Sequence, residues 1–301
     1  MRHGPSRYVP LVHRTRPVDG FSLAYDRSGD GPAVVLLHGW PGDRGDFRLV
    51  APLLAGVADV VVPDLRGFGE SDKHAVHPDE GYSGAAQARS VTGLLDELAL
   101  GPVVLAGYDI GSRIAQAVAQ ASPDRVRALV IAPPAPGAGR RVLDPAVQTE
   151  FWYQHFHRLP VARQLLDGHP DAVRDHLRHF WTHWSGPSYA PPEDDLERLV
   201  ARYAQPGAFT SSIGWYRAGP GILARSLAER APGPADRLRV PVHVLWPGHD
   251  PLFPLEWADR LDEFFADVTL TPLPDAGHFV PLEAPEAFAS AVRAALGRPL
   301  T

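Results

Sequence analysis

The chain has 301 residues, 45% of them hydrophobic and 21% charged, and these proportions are typical of a soluble globular protein. Its formal net charge of −6 gives no indication of nucleic acid or an anionic membrane as a partner, and the absence of cysteine excludes disulfides and thiolate chemistry. No apolar run reaches the roughly 18 residues that a membrane span requires. The amino-terminal stretch also lacks the apolar core of a signal peptide, so we expect a cytoplasmic protein.

Apolar segments of strand length alternate with helical patterns along the first half of the chain. Strands are predicted at residues 21–25, 33–37, 60–62, 103–106 and 128–131, and helices at 47–55, 85–98 and 113–118. The run 33–37 is apolar throughout rather than alternating, as in a parallel strand that is buried on both faces. Strands that alternate with helices predict a parallel sheet with helices on both sides.

The pattern changes near residue 136. From there to residue 221 the sequence contains no buried strand, only helical stretches rich in aromatic residues and histidine, at 150–157, 161–166, 172–184 and 194–203. Strands resume at 240–246 and 268–270, and a last helix is predicted over 285–296. We therefore predict a core domain of residues 1–135 and 222–301 that is interrupted by a helical cap of residues 136–221.

One predicted turn between a strand and a helix combines an acidic residue with flanking glycines. Residues 107–112 read GYDIGS, follow the strand 103–106 and lead into a helical pattern. This layout is that of a nucleophile elbow, which lifts one side chain above the end of a sheet, and the lifted residue here is Asp109. The alternative is that Asp109 only caps the helix. Ser112 lies beyond the turn, within the helix, and is a weaker candidate nucleophile.

Other chemically active side chains also follow predicted strands. His38, Asp64, Asp250 and His278 each come shortly after such a strand. Active groups gather at the carboxyl ends of the strands in an open parallel sheet, so we expect these residues to lie on the same edge as Asp109. Along the chain, the candidate nucleophile Asp109 comes first, the acid Asp250 second and the histidine His278 third.

These motifs resemble those of the α/β-hydrolase superfamily and, within it, the epoxide hydrolases. The resemblance covers essentially the whole predicted sheet domain and rests on five segments: HGWP (38–41), DLRGFGESD (64–72), GYDIGS (107–112), GHD (248–250) and GHFVP (277–281). It implies the α/β-hydrolase fold, a mostly parallel central sheet flanked by helices with an inserted helical cap. Aspartate rather than serine at the elbow narrows the resemblance to enzymes that alkylate a carboxylate, chiefly epoxide hydrolases and dehalogenases.

The resemblance also implies roles for individual residues. Asp109 would be the nucleophile, His278 the base that activates water, and Asp250 the acid that orients the histidine. The backbone N–H groups of Trp40 and Ile110 would form the oxyanion hole. The implied activity is that of an epoxide hydrolase, which opens an epoxide to a vicinal diol through a covalent ester on Asp109.

The acid has rival positions in the sequence. Some relatives carry it after the strand that ends at residue 131, where this chain has Ala-Pro-Pro and no carboxylate. That absence favours Asp250. Asp275, three residues before His278, is a second rival, although aspartate there is more typical of a turn.

The cap is expected to supply proton donors and substrate contacts. Tyr216 resembles the cap tyrosine that hydrogen-bonds the epoxide oxygen in epoxide hydrolases, and His155 stands where a second tyrosine is usual. Tyr153 is close enough in sequence to take that place instead. The residues expected to contact substrate are His38, Trp152, Tyr153, Phe156, Trp181, Trp215 and Phe279, and the many cap aromatics predict an apolar, aromatic or polyketide-like epoxide.

Two other functions remain open. A haloacid or haloalkane dehalogenase would use the same aspartate, but Ile110 replaces the halide-binding tryptophan or the first substrate-gripping arginine of such enzymes, while Arg113 matches their second arginine. The chain also contains no asparagine to hold a halide. The third function is a non-catalytic small-molecule receptor, which the apparently complete set of catalytic residues disfavours.

We expect no cofactor and no metal. His176, His179 and His183 share one predicted helical face, but an amphipathic cap helix with solvated histidines explains this spacing better than a metal site does. The expected partners are a small apolar epoxide and water, with no nucleic acid and no membrane. A homodimer is compatible with the sequence, which does not determine the oligomeric state.

Overall fold

The computed structural model describes residues 12–297, and the parts of the predicted core domain at 1–11 and 298–301 lie outside these residues. The described chain forms one sheet of eight strands: β1 (His13–Arg14), β2 (Ala24–Ser28), β3 (Ala33–Leu37), β4 (Asp59–Pro63), β5 (Val103–Gly107), β6 (Val126–Ile131), β7 (Val242–Pro247) and β8 (Val268–Leu273). Their spatial order is β1-β2-β4-β3-β5-β6-β7-β8. Strand β2 pairs antiparallel with both β1 and β4, and the other neighbouring strands pair parallel. The predicted α/β fold is confirmed.

The apolar strands occupy the middle of the sheet. Every residue of β4 and β5 is buried, and so are the last four of β3, because helices cover both faces. The edge strand β8 is instead partly exposed. The strand predicted at 21–25 begins later, at Ala24, while Phe21 forms an isolated bridge with Val18.

Fourteen α-helices are present among the described residues. They are α1 (Val50–Leu54), α2 (Pro78–Gly81), α3 (Gly84–Glu97), α4 (Ile110–Ala121), α5 (Pro145–Glu150), α6 (Trp152–Arg158), α7 (Pro160–Leu166), α8 (Pro170–His183), α9 (Glu193–Tyr203), α10 (Ala208–Ser212), α11 (Gly214–Arg217), α12 (Ile222–Ala228), α13 (Val280–Glu283) and α14 (Pro285–Leu296). Several begin with proline, whose fixed φ and missing N–H suit the first helical position. None of the helices in residues 12–297 has the length and apolarity to cross a membrane.

The helices α5 to α12 all lie between β6 and β7 and contribute no strand to the sheet. This arrangement agrees with an inserted cap, while the boundaries at 135/136 and 221/222 stay a prediction. Two helices differ from expectation. The helix predicted over 47–55 is a 3-10 turn at Arg44–Phe47 followed by α1, and the helix predicted over 150–157 is divided at Phe151 into α5 and α6.

The start of α4 packs directly against the end of β3. A Cβ atom added to Gly111 would lie 2.0 Å from the carbonyl oxygen of Leu37 and 2.6 Å from that of His38. Only glycine allows the helix to approach the strand this closely. The residue at 111 therefore controls how α4 sits behind Asp109.

We predict that Gly111→Ala lowers the free energy of unfolding by ~2–3 kcal/mol, because the methyl group must displace the backbone of β3. Gly56→Ala is the matched control, since a Cβ there meets nothing within 4 Å. Chemical denaturation of the two variants measures the difference. Equal stability of both variants would show that the close approach of α4 to β3 does not constrain the fold.

Candidate active site

Asp109 sits at the turn between β5 and α4 in a strained backbone conformation, with φ 50° and ψ −125°. A non-glycine residue is held this way only when its surroundings require it, and such strain is concentrated at functional sites. The side chain does not cap α4. Instead its Oδ1 accepts a hydrogen bond of 2.8 Å from the backbone N–H of Trp40, and the backbone N–H of Ile110 also binds the carboxylate. The two amides predicted as the oxyanion hole thus both contact Asp109.

His278 connects the carboxylates of Asp109 and Asp250. Its Nδ1 lies 2.9 Å from Oδ2 of Asp250, and its Nε2 lies 3.7 Å from Oδ2 of Asp109. The other oxygen of Asp250 accepts a 2.9 Å hydrogen bond from the backbone N–H of Leu252. All three members of the predicted triad are buried, whereas the rival Asp275 is exposed. The structure therefore brings Asp250, not Asp275, to the histidine.

Burial and charge act in opposite directions on these groups. Burial lowers the pKa of His278, but the carboxylates of Asp250 and Asp109 raise it, and the net result lies above the usual value. Burial also raises the pKa of Asp109, against the opposing effects of His278 and the amides of Trp40 and Ile110. The net pKa of Asp109 lies above its usual value, and its carboxylate also helps His278 to hold a proton.

Two buried tyrosines of the cap lie together near Asp109. The rings of Tyr153 and Tyr216 are 5.5 Å apart and nearly perpendicular, and both residues line the same cavity as Asp109. Burial, together with the nearby carboxylate of Asp109, raises both phenol pKa values well above 10. The Tyr153 hydroxyl accepts a 3.0 Å hydrogen bond from Gln154, while that of Tyr216 has no partner at hydrogen-bonding geometry among residues 12–297. Both phenols therefore keep their protons at neutral pH.

His155 does not accompany Tyr216, and the expectation that it would was wrong. Its side chain is exposed, whereas Tyr153 on the same helix is buried. Two residues along an α-helix turn the side chain by about 200°, so the two residues face opposite sides of α6. Tyr153, which the sequence offered as the alternative to His155, occupies the position beside Tyr216.

Several predicted substrate contacts serve other purposes. His38 uses both ring nitrogens locally, with Nε2 accepting from the N–H of Leu65 and Nδ1 lying 2.9 Å from the Gly39 carbonyl oxygen. Trp152 is 41% exposed on the outside of α6. Five of the seven predicted substrate contacts do not line the cavity that reaches Asp109: His38, Trp152, Phe156, Trp181 and Phe279. The last four of these pack among other aromatic side chains. Of the predicted contacts, Tyr153 and Trp215 do line this cavity.

The three histidines of α8 have separate environments. His176 pairs with the buried His157, Nε2 to Nε2 at 3.0 Å, and His183 pairs with Glu150 at 2.7 Å. His179 stacks on His183. Within residues 12–297 no group of three or more histidine, aspartate or glutamate residues is arranged to hold a metal. These histidines belong to the packing and surface of the cap.

Two contacts that the sequence did not reveal join the cap to the catalytic loops. The backbone N–H of His278 donates to the carbonyl oxygen of Trp184 at 2.8 Å, and the two rings are 4.9 Å apart. On the opposite side, the Tyr203 hydroxyl donates to the carbonyl of Gly42 at 2.8 Å and accepts from its N–H at 2.9 Å. No short motif signals such pairings, because the partners are far apart in the sequence.

Helix α9 adds two ion pairs to the contact made by Tyr203. Arg198 binds both oxygens of the buried Asp43 at 2.6 Å, and Asp195 pairs with Arg48. The loop that follows Trp40 is therefore held by the cap at several adjacent points. Since the Trp40 amide binds Asp109, α9 helps to position one half of the predicted oxyanion hole.

A buried aspartate on the elbow of a largely parallel sheet, close to a His–Asp pair and beneath inserted helices, defines the α/β-hydrolase class of proteins. Residues 32–285 match the family model described as the alpha/beta hydrolase fold, and the chain belongs to this family. Within the family it is an epoxide hydrolase-like α/β hydrolase, and its relatives also include dehalogenases.

Three proteins similar to this chain show the range of activities among its relatives. The chain is 30% identical over 283 residues to a soluble epoxide hydrolase of Corynebacterium sp. (strain C12), covering 92% of this chain and 94% of the relative. It is 31% identical over 195 residues to a fluoroacetate dehalogenase of Burkholderia sp., covering 64% of each. The solved structure of the epoxide hydrolase CorEH is 28% identical, with a TM-score of 0.80 and coverage of 94% of this chain and 97% of that one.

We predict that Tyr203→Phe lowers the free energy of unfolding by ~1–3 kcal/mol, because it leaves the N–H and C=O of Gly42 without partners inside the protein. Turnover should fall as well, since the Trp40 amide is less firmly held. Tyr189→Phe is the control, as the Tyr189 hydroxyl does not bond the backbone. Calorimetric unfolding of both variants tests this. A Tyr203→Phe protein as stable as the control would contradict the assigned bond.

Proposed function

We propose that this protein hydrolyses an epoxide to a vicinal diol through a covalent ester on Asp109. The observation that carries the proposal is the position of the Asp109 carboxyl group between His278 Nε2, 3.7 Å away, and two buried neutral phenols of the cap. Opening an epoxide needs a nucleophile on one side of the C–O bond and a proton donor on the other. The site contains both.

In the first step, a carboxylate oxygen of Asp109 attacks a ring carbon and the C–O bond breaks. The released oxygen is an alkoxide, a stronger base than a phenolate, so it takes a proton or a strong hydrogen bond from Tyr216 and Tyr153. Asp109 must be ionised to attack the ring and so cannot supply this proton. The hydroxyls of Tyr216 and Tyr153 lie close enough to interact with each other, and both keep their protons; that of Tyr153 also accepts from Gln154.

In the second step, His278 removes a proton from water, and the hydroxide attacks the carbonyl carbon of the Asp109 ester. The oxyanion that forms accepts hydrogen bonds from the N–H groups of Trp40 and Ile110, each worth roughly 2.7–4 kcal/mol in comparable sites. Collapse of this intermediate releases the diol and restores the carboxylate. The proton on His278 returns through solvent to the tyrosine. The sum of the steps is then the conversion of one epoxide and one water molecule into one diol.

Alkylation itself prepares His278 for its role. The charge on Asp109 is one of the causes that raise the pKa of His278, and the ester carries no charge. Formation of the ester therefore lowers the pKa of the imidazole. A histidine that holds a proton beside the free carboxylate becomes a better base at the stage at which it must activate water.

Dehalogenation of a haloacid or haloalkane is the second candidate. A halide leaves as an anion and needs a hydrogen-bond donor rather than a proton. The buried indole N–H of Trp40 has no partner among the described residues and is such a donor. The paired phenols favour the epoxide, because proton donation is what an alkoxide requires. Free halide released from a haloacid, with no diol from any epoxide, would favour dehalogenation.

We predict that His278→Ala reacts once with an epoxide and then stops, because the alanine variant can still alkylate but cannot activate water. Intact mass should rise by one substrate mass, and peptide mapping should locate the adduct on Asp109. The double variant Asp109→Asn/His278→Ala is the control and should gain no mass. An adduct elsewhere, or none with a substrate that the wild type hydrolyses, would refute the mechanism.

A further prediction concerns the two phenols. Tyr216→Phe should slow alkylation by at least about 10²-fold, since general acid catalysis contributes 10²–10⁴-fold. Tyr153→Phe should slow the same step, and ester hydrolysis should change little in either variant. His155→Phe is the control and should alkylate at the wild-type rate, because His155 is exposed. Rapid-mixing kinetics separate the two steps; wild-type alkylation by Tyr216→Phe would exclude the donor role.

A further inference from the structure

The cavity that reaches Asp109 extends well beyond the paired tyrosines. Its volume is about 870 Å³, and from Asp109 it follows one face of α4, past Arg113, Gln116 and Gln120. The opposite wall is formed by α12 and the segment 232–239. The space beside the nucleophile is aromatic, with Tyr153, Trp215 and Tyr216, whereas the distal part combines charged side chains with the apolar Leu238, Phe264 and Phe265. One small apolar substrate does not account for this second half.

The distal part carries an excess of positive charge. Five arginines line the cavity: Arg113, Arg225, Arg230, Arg237 and Arg239. Apart from Asp109, the carboxylates in its lining are Glu229 and Asp236. Within residues 12–297 none of the five guanidinium groups forms an ion pair at 4 Å or less, although other arginines of the chain do so repeatedly.

Arg225, on α12, is a lining residue that is held in place by the protein. Its Nη2 donates to the carbonyl of Ala218 at 2.8 Å, and its guanidinium lies 5.7 Å from the centre of the Trp215 ring. Trp215 is the neighbour of Tyr216, so this cation stands next to the proposed proton donor. Only part of the donor capacity of the guanidinium is used by the protein, and the rest faces the cavity.

Arg113 faces the same space from α4. It donates to the carbonyl of Ala135 at 3.3 Å, and the charge of Arg225 acts on it unfavourably. The carboxylate of Glu229 acts favourably on Arg113 and outweighs this repulsion, and it also accepts a 2.8 Å hydrogen bond from the N–H of Gly137. Two neighbouring guanidinium groups without ion-pair partners are stabilised when an anion lies between them.

We propose that the distal half of this cavity binds a carboxylate of the substrate, with Arg225 as the recognising group and Arg113 beside it. The substrate is then an epoxide carboxylate, whose ring lies at Asp109 and whose anionic end lies along α4 and α12. The assignment of the ring rests on the proposed epoxide hydrolysis. The net charge of the whole chain is −6, so the attraction for an anion is local to this passage.

The test compares ω-epoxy carboxylates of increasing chain length with their methyl esters, which differ only in the negative charge. For the best length, wild-type kcat/KM should be at least about tenfold higher for the carboxylate than for the ester. Arg225→Gln should lower this ratio at least about tenfold. Arg178→Gln is the matched control, because Arg178 lies on α8 and pairs with Glu193 outside the cavity, and it should keep the wild-type ratio.

A wild-type ratio near one at every length, or a ratio that Arg225→Gln leaves unchanged in a folded variant, overturns the carboxylate site and leaves epoxide hydrolysis standing. If no epoxide is hydrolysed at all, the proposed reaction fails and calorimetry decides the site separately. The probes are then the dihydroxy carboxylate and its methyl ester. Tighter binding of the carboxylate that is lost in Arg225→Gln supports the site, and equal binding of the two probes overturns it.

Discussion

The hydrogen bond from the Trp40 amide to Asp109 Oδ1 joins the loops that follow two neighbouring strands, β3 and β5. It depends on the strained turn that lifts Asp109 and on the close packing of Gly111 against Leu37. The same amide would hold the carboxylate before reaction and the oxyanion during ester hydrolysis. A single backbone contact at the centre of the sheet thus fixes the position of the proposed nucleophile relative to the loop after β3.

The cap contributes to this centre from two sides. Tyr203 fixes the loop after Trp40, and the carbonyl of Trp184 binds the backbone of His278. Tyr153 and Tyr216 are buried and line the same cavity as Asp109, which is itself only 5% exposed. Desolvation makes each charge in the site more effective, which is why burial and neighbouring carboxylates compete so strongly over the pKa of His278.

The cavity combines two chemical environments that suit a substrate with two different ends. Aromatic side chains surround the nucleophile, where an uncharged ring must approach a buried carboxylate. Arginines of α4, α12 and the segment 232–239 line the distal part. Such a division gives the substrate one orientation, since an anion beside Asp109 would be repelled and an apolar end among guanidinium groups would gain nothing.

The sequence by itself determined the order of strands and helices, the elbow at Asp109 and the pairing of His278 with Asp250 as the preferred acid. Apolar runs and turn glycines act locally, and a parallel sheet necessarily gathers the carboxyl ends of its strands. Only the tertiary structure decided that Tyr153 rather than His155 faces Tyr216, because the phase of a short helix depends on what it packs against. It also decided that Arg113 and Arg225 share one cavity, since distant segments meet there only after the cap has folded onto the sheet.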